Sequence, residues 1–228
     1  MTLYAFLSQV KMVLDDENQS LGSHLSVHYE SDKALISTCG NHALKWLALH
    51  APVELLDGSD EESEGTPIMS GFLVSNPTDV TWSGNTASLP GDFVRIARVK
   101  AAGWHRALKD AVKDTDTEYL MMADDVATAT PDRPVAVILC DNPKKLEIWP
   151  APATGDTVNL TFVRYPAATM NNLTNQSQGY RTLLPMPPKV ATAWVYLTAY
   201  FILLSWGDAR AAAYMDVVRG MLGVQPSK

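Results

Sequence analysis

Five histidines, two cysteines and two acidic clusters are the residues of this 228-residue chain whose types could do chemistry. His24 and His28 stand four apart, the spacing at which a helix turns two imidazoles toward one zinc ion. Their run alternates Leu25, Val27 and Tyr29 with Ser26 and His28, a strand-like pattern, and neither an HExxH motif nor a third ligand adjoins. They are read as surface or packing histidines. Asp57 to Glu64 places five carboxylates in eight residues. It lacks the alternating ligands and distal Glu of a calcium loop, so it reads as a solvated acidic loop. Asp124 and Asp125 offer half of a metal site, but they sit where a loop should begin. Together with His105 they are the only basis for a hydrolase, which would need the three side chains to converge in one pocket. GxSxG and the phosphate-binding glycine loops are absent. No catalytic residue, metal or cofactor is expected.

Cys39 and Cys140 lie far apart without CxxC spacing and are expected to be two buried thiols in a reducing compartment. The formal net charge of −7 argues against a protein that grips nucleic acid through its phosphates. An acidic wall would instead keep a passing DNA from sticking. The densest basic stretch is Arg95, Arg98, Lys100, His105, Arg106 and Lys109. Arg95, Arg98, Lys100 and Arg106 are the candidates for contact with DNA or a partner. Arg95 and Arg98 are expected on the solvent face of a strand, or bridging to carboxylates of a neighbouring subunit.

The elements that must position these residues follow a clear order. Leu3, Phe6, Leu7, Val10, Val13 and Leu14 recur at three- and four-residue intervals and predict a helix to Asp16. A second helix is predicted from a Ser31 cap to Leu49, limited by Pro52. Short β-branched runs follow at Phe72–Val74, Val80–Trp82, Thr86–Ser88, Phe93–Val99, Val135–Leu139, Leu146–Ile148 and Val158–Val163. Ser83-Gly84-Asn85 is a strong hairpin turn and Asp141-Asn142-Pro143 a second turn. Trp104 to Lys113 is expected to add a helical turn or two, and Leu120 to Ala123 another. Residues 171–181 are polar and read as a linker or extended arm. Two helices close the chain, Val190–Ser205 and Asp208–Leu222, parted by Gly207, with Asp208 as cap and Gly220 and Gly223 as stops. Val190 to Trp206 carries no charge over 17 residues. Thr192, Thr198 and Ser205 interrupt it, so it reads as a buried helix and not a membrane span. Met1 leads into Leu3-Tyr4-Ala5-Phe6-Leu7 without a basic stretch, so no secretory signal is expected.

The apolar fraction of 46% and charged fraction of 19% are those of a folded protein. The expected fold is α+β: a helical bundle from both ends of the chain with an inserted antiparallel β-sandwich or barrel-like module. The expected parts are residues 1–65, 66–166 and 167–228.

Several segments together resemble the head-to-tail adaptor, or connector-ring, proteins of tailed phages. They are Leu89-Pro90-Gly91-Asp92-Phe93-Val94-Arg95-Ile96, Leu146-Glu147-Ile148-Trp149-Pro150-Ala151-Pro152 and Val158-Asn159-Leu160-Thr161-Phe162-Val163-Arg164-Tyr165-Pro166. The proline-bounded closing helices and the opening helix ending Leu14-Asp15-Asp16-Glu17 agree. The acidic loop and the stretch from Trp104 to Asp132 depart from the pattern. The resemblance implies a homo-oligomeric, dodecameric ring bound to the portal protein, at the head–tail junction of the virion. Such a protein would be made in the host cytoplasm, extend the DNA channel without specific binding and meet other tail or ring proteins. A ring closed by a heterologous interface needs two different surfaces per subunit. Trp194, Tyr196, Tyr200, Phe201 and Trp206, with Tyr180 and Arg181 of the polar arm, are the interface candidates. The alternative is a ligand- or carbohydrate-binding β module, for which Trp82, Trp104 and Trp149 are the basis.

Overall fold

Phe6, Val10 and Leu14 fall every fourth residue, one helix stripe, and each is at most 1% exposed. They anchor α1 (Leu3–Asp15) in a computed structural model that describes residues 3–15, 29–57, 71–116, 128–140, 143–166 and 186–225. Among the described residues the fold is α+β, with five helices and two sheets. The chain divides into two compact units, residues 1–72 with 165–228, and residues 73–164.

The first unit holds α1, α2 (Tyr29–His50), α3 (Val53–Asp57), α4 (Pro188–Ser205) and α5 (Ala211–Leu222). Helix α2 starts two residues before the expected Ser31 cap, so Ser31 lies within it; Leu25 and Val27 fall outside the described residues. Helix α4 is buried on nearly every side, through Val190, Ala191, Ala193, Trp194, Val195, Leu197, Thr198, Ala199, Ile202 and Leu203. Helices α1, α2, α3 and α5 all pack against it. That position accounts for the charge-free run: a helix surrounded by other helices has no face for charge. No described helix is long and apolar enough to cross a membrane. Pro188 opens α4, where a missing N–H costs nothing. The hydroxyls of Thr192, Thr198 and Ser205 donate to the helix's own carbonyls at Pro188, Trp194 and Ile202, so even the buried Thr198 is satisfied.

The Trp194 ring stacks on Phe6 with centroids 3.9 Å apart. Its indole N–H donates to the Gly40 carbonyl at 2.9 Å. One side chain thereby joins α1, α2 and α4. The Tyr214 hydroxyl donates to the Val13 carbonyl at 2.9 Å, tying the last helix to the first. Between α4 and α5, Gly207 turns the chain at φ +68°. Asp208 is not the cap of α5; that position belongs to Arg210. Instead the Asp208 carboxylate accepts the Arg210 backbone N–H at 2.9 Å and the Arg210 guanidinium at 2.6 and 3.0 Å, closing the corner just ahead of the helix. Gly223, at φ +66°, stops α5 in the left-handed conformation. Gly220 lies inside α5 and ends nothing.

In the second unit, one sheet runs β1 (Leu73–Ser75), β8 (Val158–Arg164), β4 (Phe93–Ala101). The other runs β2 (Trp82–Ser83), β3 (Thr86–Ser88), β7 (Lys145–Trp149), β6 (Val135–Leu139), β5 (Val112–Lys113). Both sheets feed one buried cluster: Phe93, Ile96, Val99, Leu160 and Phe162 from the first, Ala136, Leu146 and Ile148 from the second. Neither sheet closes into a barrel, and the module is not wholly antiparallel, because β5 pairs parallel with β6. The segment from Trp104 to Lys113, expected to be helical, is irregular chain ending in β5. Leu108 bridges to Val99 and packs on the core, so the sheet edge and not a helix satisfies its backbone. Leu120 to Ala123, the Asp141-Asn142 turn and residues 171–181 lie outside the described residues.

Candidate functional site

Of the five aromatic interface candidates between residues 194 and 206, Trp194 is fully buried in its own unit and is spent on the core. Tyr196, Tyr200 and Phe201 are half-buried. Tyr196 meets Tyr214 with centroids 6.0 Å apart. Phe201 sits edge-on to Tyr200 at 5.0 Å and 6.0 Å from the His42 ring. Trp206 remains 44% exposed beside Leu204 at 53%, both at the C-terminal end of α4. Leu204, Val217 on α5, Leu49 on α2 and Met12 on α1 are exposed apolar residues that the sequence pattern did not single out. A run apolar at almost every position hides which of its members face water. Tyr180 and Arg181 lie outside the described residues.

The basic stretch divides between strand and loop. Arg95, Arg98 and Lys100 are on β4, where Arg98 is exposed and the other two half-covered; Arg106 and Lys109 are exposed in the irregular chain that follows.

The residues considered for catalysis do not assemble among the described residues. His105 pairs with Asp132 at 2.5 Å with both side chains largely in water, the open setting of a surface pair. Asp124 and Asp125, His24 and His28 fall outside the described residues. No group of three metal-ligating side chains is found among the described residues. Cys39 and Cys140 are both free thiols. Cys39 is buried as expected, and burial pushes its thiol pKa up. Cys140 is exposed, against expectation, because it follows the last residue of β6 where chain leaves the core. Asp114 beside it raises its thiol pKa, by hydrogen bonding foremost. The Cys140 backbone N–H donates to Asp114 at 3.0 Å and lowers the pKa of that carboxyl group. Both thiols therefore stay protonated at neutral pH, the unreactive form.

The tryptophans considered for carbohydrate binding do not share one exposed platform. Trp104 is buried, its indole N–H donating to the Pro150 carbonyl at 3.2 Å, and Trp82 packs half-buried on the core. Only Trp149 of the three is exposed, at 38%.

What the two units offer is therefore surface: apolar side chains left uncovered on helices, and a row of cations along a sheet edge. A family model for the SU10 adaptor protein matches residues 69–225. The chain belongs to the SU10 adaptor protein family. It is a structural phage adaptor, a virion component whose work is to meet other head and tail proteins. The matched span of the adaptor takes in all eight strands and both closing helices. The segment before residue 69, with α1 to α3 and the acidic run, lies outside it. No curated protein matches the adaptor's sequence.

Proposed function

We propose that this adaptor forms a closed, dodecameric ring beneath the portal protein, connecting head to tail and extending the channel through which DNA leaves the virion. In this reading the terminal helical segments form the bundle-like platform that docks on sister copies, and the β unit is presented to tail proteins. Leu204 and Trp206 at the end of α4 are the supporting observation, since each is a large apolar side chain left exposed where a partner could cover it. Tyr196, Tyr200 and Phe201, half-buried on the same helix, add to that surface, and the polar segment with Tyr180 and Arg181 meets a neighbouring copy. The net charge of −7 suits a conduit that DNA passes without sticking.

The test is to purify the full chain alone and mixed with its portal protein, and to measure particle mass and symmetry by light scattering and electron microscopy. Rings, alone or on the portal, are expected. A strict monomer in both preparations overturns the proposal.

A further inference from the structure

We infer that the outward face of the β1–β8–β4 sheet seats residues 57–64, the acidic run, of a second copy of this chain. The inference rests on the self-assembly proposed above and adds which surfaces meet. On that sheet the register sets Ser75 and Arg98 on either side of Thr161, and Lys100 beside Asn159. Ser75 and Thr161 hydroxyls lie 3.2 Å apart, and the Asn76 side-chain amide donates to the side-chain oxygen Oδ1 of Asn159 at 3.3 Å. The alternate residues Ile96, Val99, Leu160 and Phe162 turn the other way into the core. Around Thr161 and Asn159 this face is thus polar and its charges are cations, whereas toward Val163 and Leu73 it turns apolar.

Leu108 pairs antiparallel with Val99, which places Lys109 across from Arg98 and lengthens the basic row beyond the sheet edge. Among the described residues neither Arg98 nor Lys100 makes an ion pair. Asp110, which follows Lys109, accepts the backbone N–H of its neighbour Ala111 at 2.8 Å. In a chain of net charge −7, Arg98 and Lys100 side by side on this face ask for an anionic occupant. The same chain carries one of matching chemistry: Asp57, Asp60, Glu61, Glu62 and Glu64, with no Lys or Arg among residues 57–64. Asp57 closes α3, so the run begins at a described position of the helical unit. A DNA duplex is a poorer occupant, because so short a row neutralises few phosphates and the rest of the protein repels it.

Full-length protein in heavy- and light-isotope forms is mixed, assembled (on the portal where it needs one) and treated with a carbodiimide, which joins carboxylates to amines in contact. Links from Lys100 or Lys109 to residues 57–64 are expected between heavy and light copies. The Arg98→Glu/Lys100→Glu variant is expected to weaken assembly about tenfold in midpoint concentration. Adding Glu61→Lys and Glu62→Lys to that variant should restore it. Thermal unfolding of each variant separates lost contact from lost fold. Assemblies that form without these links, or with links only inside one copy, overturn this contact and leave the ring standing. Failure to assemble under any condition overturns both. DNA retention by the parent protein that the double variant loses also overturns it, by giving the face to nucleic acid.

Discussion

Trp194, offered as a candidate for the interface between copies, lies inside its own unit. Its 0% exposure, its stack on Phe6 and its bond to Gly40 make it the joint of three helices. Trp194→Ala should cost about 3–5 kcal/mol of unfolding free energy, measured by denaturant titration. Trp194→Phe, which retains a ring but loses the N–H, should cost less. The aromatic richness of α4 was legible in the sequence. Which rings point inward was not, because every face of that run is apolar. Asp208 carries a different lesson. Its carboxylate was expected to cap a helix and instead holds Arg210, which lowers its pKa to about 2 through side-chain and backbone hydrogen bonds. The unfolded carboxyl titrates near its ordinary value of about 4, so on acidification the unfolded state takes up the proton first. The pair's stabilisation is therefore complete above about pH 4 and falls as pH drops toward and through 2. Thermal unfolding of Asp208→Asn should show a shallower loss of stability between pH 4 and 2 than the parent.

The β2–β3 hairpin was visible in Ser83-Gly84-Asn85 because its two-residue connection requires a residue that tolerates φ > 0, and Gly84 takes φ +63°. Gly84→Val should destabilise the protein by about 1–2 kcal/mol, read from the denaturation midpoint, since a Cβ there is strained although no atom crowds it. Seven of the eight strands lie on runs that alternation and β-branching had marked, with ends shifted by a residue or two. The exception is β5, two residues long and held only by parallel pairing with β6. So short a strand has no period of its own, and its existence depends on a partner more than 20 residues away. Trp104 to Lys113 misled for a related reason. Its residue types allow helix, but Leu108 is worth more as a bridge to Val99 over the core. The α5 cap was misplaced by two residues because Asp208 bonds a side chain, a choice that spacing does not reveal.

This adaptor divides into a helical unit from both ends of the chain and an inserted β unit, and the helical unit leaves Met12, Leu49, Leu204, Trp206 and Val217 exposed. Family membership was readable from the order and spacing of segments, because an adaptor is defined by what it presents and carries no catalytic signature. Which residues meet which partner was not readable, since exposure is a property of packing. Trp206→Ser, at a position 44% exposed, should lower subunit stability by at most about 1 kcal/mol while weakening self-assembly, which sedimentation velocity across a concentration series would detect. The most direct measurement is the mass and symmetry of the full chain, alone and with its portal, by electron microscopy. Closed rings coaxial with the portal, with the α4 terminus at the contact between copies, are the predicted result. Single subunits that never close into a ring, with or without the portal, would contradict it.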